Sequence, residues 1–97
     1  MIKRKKTWSF PKDIAFEMTH IYSKKFEEMP FNQKISFDLS RTKNIHSSFI
    51  GFLIDAKQKI EKKGGSLELN ISPELEKIFI NKELNTFLIY NRIVKTA

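Results

Sequence analysis

Few residues in this chain are equipped for chemistry, and most are spaced against it. It has two histidines, His20 and His46, and no cysteine. Disulfides and thiolate metal sites are therefore excluded. The histidines form no H-x-x-x-H pair that would place two imidazoles on one helix face for zinc. His20 reads as a half-exposed helix side chain, and neither a metal nor another cofactor is expected. Gly64-Gly65 follows a helix instead of opening one, and no G-x-x-x-x-G-K-[ST] run exists, so the chain is not expected to bind ATP. His46 and Ser47 are adjacent, but adjacent side chains diverge and no nucleophile elbow surrounds them. Glu27 and Glu28 diverge for the same reason. The expected set of catalytic residues is therefore empty, and the chain is not expected to be an enzyme.

What remains is the segment His46-Ser47-Ser48-Phe49-Ile50-Gly51. Ser47 or Ser48 is placed to cap an amphipathic helix. Backbone N–H groups are unpaired at such a start, and the helix dipole is positive there. A phosphate on one of these serines would be accommodated by both, and nearly two added charges would change what docks there. A glycine inside a helix costs about 1 kcal/mol relative to alanine. Gly51 therefore points to a close backbone approach, by a neighbouring element or by a partner. Phe49 and Ile50 cannot both face the core if Phe52 and Leu53 do, so one of them is expected at the surface.

The elements that must position this segment follow from periodicity. Thr7 to Phe10 is a short β-prone run. Pro11 suits the first turn of a helix. Ile14, Met18, Ile21, Tyr22, Phe26 and Met29 predict one apolar helix face over residues 11–29, which Pro30 ends. Lys34 to Leu39 alternates as a strand. Ser40 to Asn44 is a polar connection, closed by Ile45 as a short apolar anchor. Phe49, Phe52, Leu53, Ala56 and Ile60 share a helical face. Lys62-Lys63-Gly64-Gly65 then ends the helix with cations and glycines. Leu67, Leu69 and Ile71 define another strand. Ser72-Pro73 opens a short helix whose apolar side is Leu75, Ile78 and Phe79. Thr86 to Asn91 reads as a last strand, and residues beyond Arg92 as a frayed end. The order β-α-β-α-β-α-β argues for crossover connections and a largely parallel or mixed sheet.

The chain has 97 residues, 40% of them hydrophobic, with nine phenylalanines. That is one domain with a small core, and not a disordered tail. The formal net charge is +7, of which Lys3, Arg4, Lys5 and Lys6 supply four, leaving +3 for the rest. The basic balance is thus mostly a solvated tail, residues 1–6. The basic residues are not interleaved with exposed aromatics, so nucleic acid is not an expected partner. No apolar stretch follows the basic start as in a secretory signal, and Phe49 to Ile54 is far too short to span a bilayer. A cytoplasmic protein without membrane insertion is expected.

The joint spacing of several motifs resembles the STAS domains, the bacterial anti-sigma factor antagonists and their relatives. The match runs from Ile35-Ser36-Phe37-Asp38-Leu39-Ser40 through Ile45 to Leu53. It continues through Lys62-Lys63-Gly64-Gly65, Leu67-Glu68-Leu69 and Ser72-Pro73-Glu74-Leu75. Roughly residues 33–90 follow the family order: a D-L-S strand end, a D-S-x-G-L-G helix start, a K-x-G-G turn, a strand, then S-P-x-[LV]. His46 stands where the family has Asp, and Phe49 where it has the first Gly. That places a large ring beside the family phosphosite.

The resemblance implies a STAS-like α/β fold, a small mixed sheet packed by three to four helices. It also implies transcription regulation by partner switching, through protein–protein interaction with an anti-sigma factor kinase. Ser47 is then the phosphoserine, and His46, Ser47, Ser48, Phe49, Ile50 and Gly51 are the partner-binding residues. No small-molecule substrate is implied. The short start over residues 6–10 is more similar to the small STAS subunit of bacterial phospholipid-transport ABC systems, whose partner is an ABC ATPase subunit.

Overall fold

The computed structural model describes residues 6–84 and 88–92; residues 1–5 of the expected basic tail, part of the expected last strand and the end expected to fray lie outside them, and Lys6, expected in that tail, is instead the first residue of a strand paired with Ile35. Three strands hold the centre: β1 (Lys6–Ser9), β3 (Lys34–Leu39) and β5 (Ser66–Ile71). In β3, Ile35, Phe37 and Leu39 are all buried, and the alternate residues are Ser36 and Asp38. Period-two alternation of this kind gives a strand one apolar face. A short β6 (Asn91–Arg92) joins β5, and the order across the sheet is β1-β3-β5-β6. Every pairing among the described residues is parallel. Parallel neighbours need a crossover between them, and each gap in the chain supplies a helix.

The helices are α1 (Phe16–Glu27), α2 (Ser47–Lys62) and α3 (Pro73–Asn81). The sheet is entered strand by strand in one direction, and crossovers of one hand then place their helices on one face. The aromatic contacts agree. Phe37 of β3 lies 6.4 Å from Phe26 of α1 and 6.0 Å from Phe52 of α2, centroid to centroid. Trp8 stacks on Phe37 at 5.5 Å. The core is one continuous cluster between the sheet and these helices. The molecule is a small α/β structure with three helices among the described residues.

Two boundaries differ from expectation. The first helix begins at Phe16, not Pro11, because residues Asp13–Ile14 form a two-residue strand, β2. The last strand begins only at Asn91; Leu88 to Tyr90 are not in a strand. Leu88 is nonetheless buried in the core.

β2 pairs in parallel with β4 (Asn44–Ile45), and this ladder sets the geometry that matters most. Lys43 and Asn44 N–H donate to the Lys12 carbonyl, His46 N–H donates to the Ile14 carbonyl at 2.9 Å, and Asn44 Nδ2 donates to Asp13 at 2.7 Å. Each strand leads directly into a helix, so the ladder brings the starts of α1 and α2 side by side. Beneath it, Thr42 is fully buried, and its hydroxyl donates to the Pro11 carbonyl at 2.7 Å. Ser72 Oγ donates to the Thr42 carbonyl at 2.6 Å and accepts from Leu75 N–H as the cap of α3. The loops leaving β1, β3 and β5 are thus tied together by buried hydrogen bonds, each worth about 1 kcal/mol net.

Candidate functional site: the start of α2

The cap of α2 is His46, not either serine. Its extended backbone (φ −74°, ψ 149°) is that of an N-cap, and its Nδ1 accepts from Ser48 N–H at 3.1 Å. Capping by a ring nitrogen requires that Nδ1 carry no proton. Ser48 Oγ lies 2.9 Å from that nitrogen and 3.1 Å from Thr19 Oγ1 of α1. Ser48 donates its one hydroxyl proton to Thr19 Oγ1, and Thr19 donates its own to the Ala15 carbonyl at 3.5 Å. The serine paired with His46 is therefore Ser48, half-buried between the two helices, and not Ser47. The sequence reading missed this because it paired chain neighbours, whereas the cap geometry turns the imidazole over the residue two positions on.

Ser47 occupies the first helical position and is exposed. No acidic side chain lies in the first turn of α2. The positive end of the helix dipole is thus uncompensated by a helical carboxylate, and a negative group there would be favoured by about 0.3–1 kcal/mol.

The structure places Phe49 and Ile50 in the core, at 0% and 8% exposure, together with Phe52 and Leu53. The expectation that one of Phe49 and Ile50 lies at the surface is corrected. Phe49 packs edge-on against Phe10 at 5.4 Å and near Tyr22 at 6.3 Å, so its ring points away from Ser47 and leaves it open. Helix α2 buries a wider arc than one apolar stripe because it is covered by the sheet below and by α1 at its side. Of the expected contact segment, His46, Ser47 and Gly51 are exposed.

Gly51 has no heavy atom within 4 Å of the place where a Cβ would stand. Among the described residues, no neighbouring element makes the close approach expected of this glycine. Beside it lies a groove of about 330 Å³ between α1 and α2, lined among others by Phe16, His20, Ser48, Gly51 and Asp55. Phe16 is 59% exposed and meets the His46 ring edge-on at 5.3 Å. A large ring in water at a groove mouth is apolar area left unburied by folding. Sequence reading passed over Phe16 because the predicted helix started earlier and set its apolar face by other residues.

His20 is exposed on α1, as expected, and no group of three possible metal ligands exists among the described residues. No helix among them is long and apolar enough to cross a membrane. Gly64 ends α2 with a positive φ of 85°, the left-handed conformation that glycine tolerates. Elsewhere, burial pushes the Tyr22 phenol above its ordinary value, since an ionised oxygen there would lose solvation.

No family model matches this chain, and no curated protein matches it.

Proposed function

We propose that this chain is a non-enzymatic, protein-binding regulator that docks through the start of α2 and the groove beside it. The observation that carries the reading is Gly51. A glycine inside a helix costs about 1 kcal/mol, and none of the described residues gives an internal reason for it, since a Cβ would have nothing within 4 Å. Close approach of a partner backbone supplies the reason. Exposed Phe16, His46 and Ser47 surround the same spot.

The STAS-like resemblance supports a specific form of this function. The partner is an anti-sigma factor kinase in a cytoplasmic partner switch, and Ser47 is the phosphorylated residue. Exposure of Ser47 and the inward turn of Phe49 favour access by a kinase. A second reading keeps the surface and changes the partner to the ATPase subunit of an ABC-type phospholipid transport system. It rests on the likeness of the segment Lys6 to Phe10 to the small STAS subunit of such systems.

The test uses the kinase and ATPase homologues encoded in the same genome as purified proteins. Gly51→Trp should bind the true partner at least tenfold more weakly while melting at an unchanged or higher temperature. Peptide mapping of protein from its native host separates the two readings. Phosphate on Ser47, with altered binding in Ser47→Asp, supports the switch; unmodified Ser47 across growth phases supports the docking subunit. Binding indifferent to Gly51→Trp, or no binding to either homologue, would sink the proposal.

A further inference from the structure

A second surface stands apart from the α2 start. β1 is the terminal strand of the sheet, and among the described residues no strand pairs with its outer side. The direction of its free groups follows from one bond. Phe10 N–H donates to the Asp38 carbonyl of β3 at 3.1 Å. Backbone groups alternate sides along a strand. Trp8 and Lys6 therefore turn their N–H and C=O groups toward β3, and Thr7 and Ser9 turn theirs outward.

A cleft of about 500 Å³ runs beside this edge, between β1 and α1. It is lined by Trp8 and Ser9 of the strand, whose side chains point to opposite faces of the sheet, so the cleft follows the strand's backbone edge. Its apolar wall is Trp8, Tyr22 and Met29, and its rim carries Lys6 and Lys25, with Glu28 as the one acidic side chain among the described residues. In sequence, three further basic residues, Lys3, Arg4 and Lys5, immediately precede Lys6.

We propose that this edge binds an extended acidic peptide segment of a partner protein, which adds to the sheet beside β1. Strand addition gives such a peptide backbone hydrogen bonds to Thr7 and Ser9 and an apolar pocket for one of its alternate side chains. The net cationic rim selects acidic residues on the segment. The same charge weighs against the other occupant an open edge invites, a second copy of this chain, since each copy would bring the same net cationic rim of Lys6 and Lys25 to the contact.

The chain has one tryptophan, so Trp8 emission reports directly on the cleft. The probe is an eight-residue peptide of alternating Glu and Val, titrated into the full chain at low ionic strength. Saturable change in Trp8 emission is expected, with no saturation by the alternating Lys and Val peptide. Lys25→Glu should weaken the acidic peptide about fivefold, the scale of exposed charge pairs reversed in sign. Thr7→Pro removes an outward N–H that the ladder to β3 does not use, and proline is tolerated on an edge strand. That variant should keep its circular dichroism and melting temperature while losing peptide binding. The proposal is overturned if neither peptide saturates, if both bind alike, or if folded Thr7→Pro binds as the unsubstituted chain does. A concentration-dependent dimer that Thr7→Pro abolishes would overturn it too, and give the edge to a second copy.

Discussion

The two ends of α2 carry glycines of opposite meaning. At the C-terminal end, a Cβ on Gly65 would run into the Phe31 and Gln33 carbonyl oxygens, so the backbone there is pressed against the loop before β3. At the N-terminal end, Gly51 faces open space. One glycine is required by the fold. The other weakens a helix that the fold would let be stronger. The caps repeat the contrast. Ser72 starts α3 as a buried cap with Pro73 behind it and Glu74 and Glu76 in the first turn. His46 starts α2 as an exposed cap with no acid behind it. Stability has been collected at one set of positions and left uncollected at the other, and the uncollected set coincides with an exposed aromatic and a groove. Natural chains keep such deficits where another requirement acts on the same residues.

The comparison can be broken most forcefully at Gly65. Gly65→Ala should destabilise by about 3 kcal/mol or more, read as a lower urea midpoint, because backbone oxygens cannot step aside as a flexible side chain can. A loss under about 1 kcal/mol would mean that the turn is not under the constraint described.

The paired caps come next. Ser72→Ala should cost about 2 kcal/mol, since the cap is lost and so is a buried bond to the Thr42 carbonyl. His46→Ala should cost about 1 kcal/mol or less, because water can reach the exposed helix end. Equal losses in parallel denaturant melts would erase the distinction between the two starts.

Gly51→Ala should raise stability, by about 0.5–1 kcal/mol. A fall in the midpoint would reveal a constraint at Gly51 that the fold does not display. The smallest change belongs to Ser47→Asp, a carboxylate placed against an unopposed dipole. It should add about 0.3–0.5 kcal/mol at low salt, and the gain should shrink at high salt.

Local signals were legible in the chain. The glycine end of α2, the Ser72-Pro73 start of α3 and the alternation of β3 and β5 each rest on interactions within a few residues, so the order of types reveals them. Even the contact between α1 and α2 was half legible, as two amphipathic faces that had to meet something. The start of α1 was not. Pro11 is a residue type suited to a first helical position, but a pairing of Asp13 and Ile14 with Asn44 and Ile45 took the intervening chain, and two-residue strands leave no period to read. Thr42 gave no sign of burial, since nothing in a polar connection distinguishes the hydroxyl that will find a carbonyl thirty-one positions back.

The candidate site divides along the same line. Composition and spacing by themselves determined that the chain has an α/β alternation, that its helix ends lie near Gly64 and Ser72, and that its one unusual segment is His46 to Gly51. These follow from short-range physics: rotamers, caps and the period of apolar residues. Only the tertiary structure decided which of those residues face water. It turned Phe49 and Ile50 inward because α2 is covered on two sides. It handed the cap to His46 because the β2–β4 ladder holds that residue extended, and it set Phe16 of α1 beside that ring. Side-chain exposure is a property of what packs from elsewhere in the chain, and no local pattern encodes it.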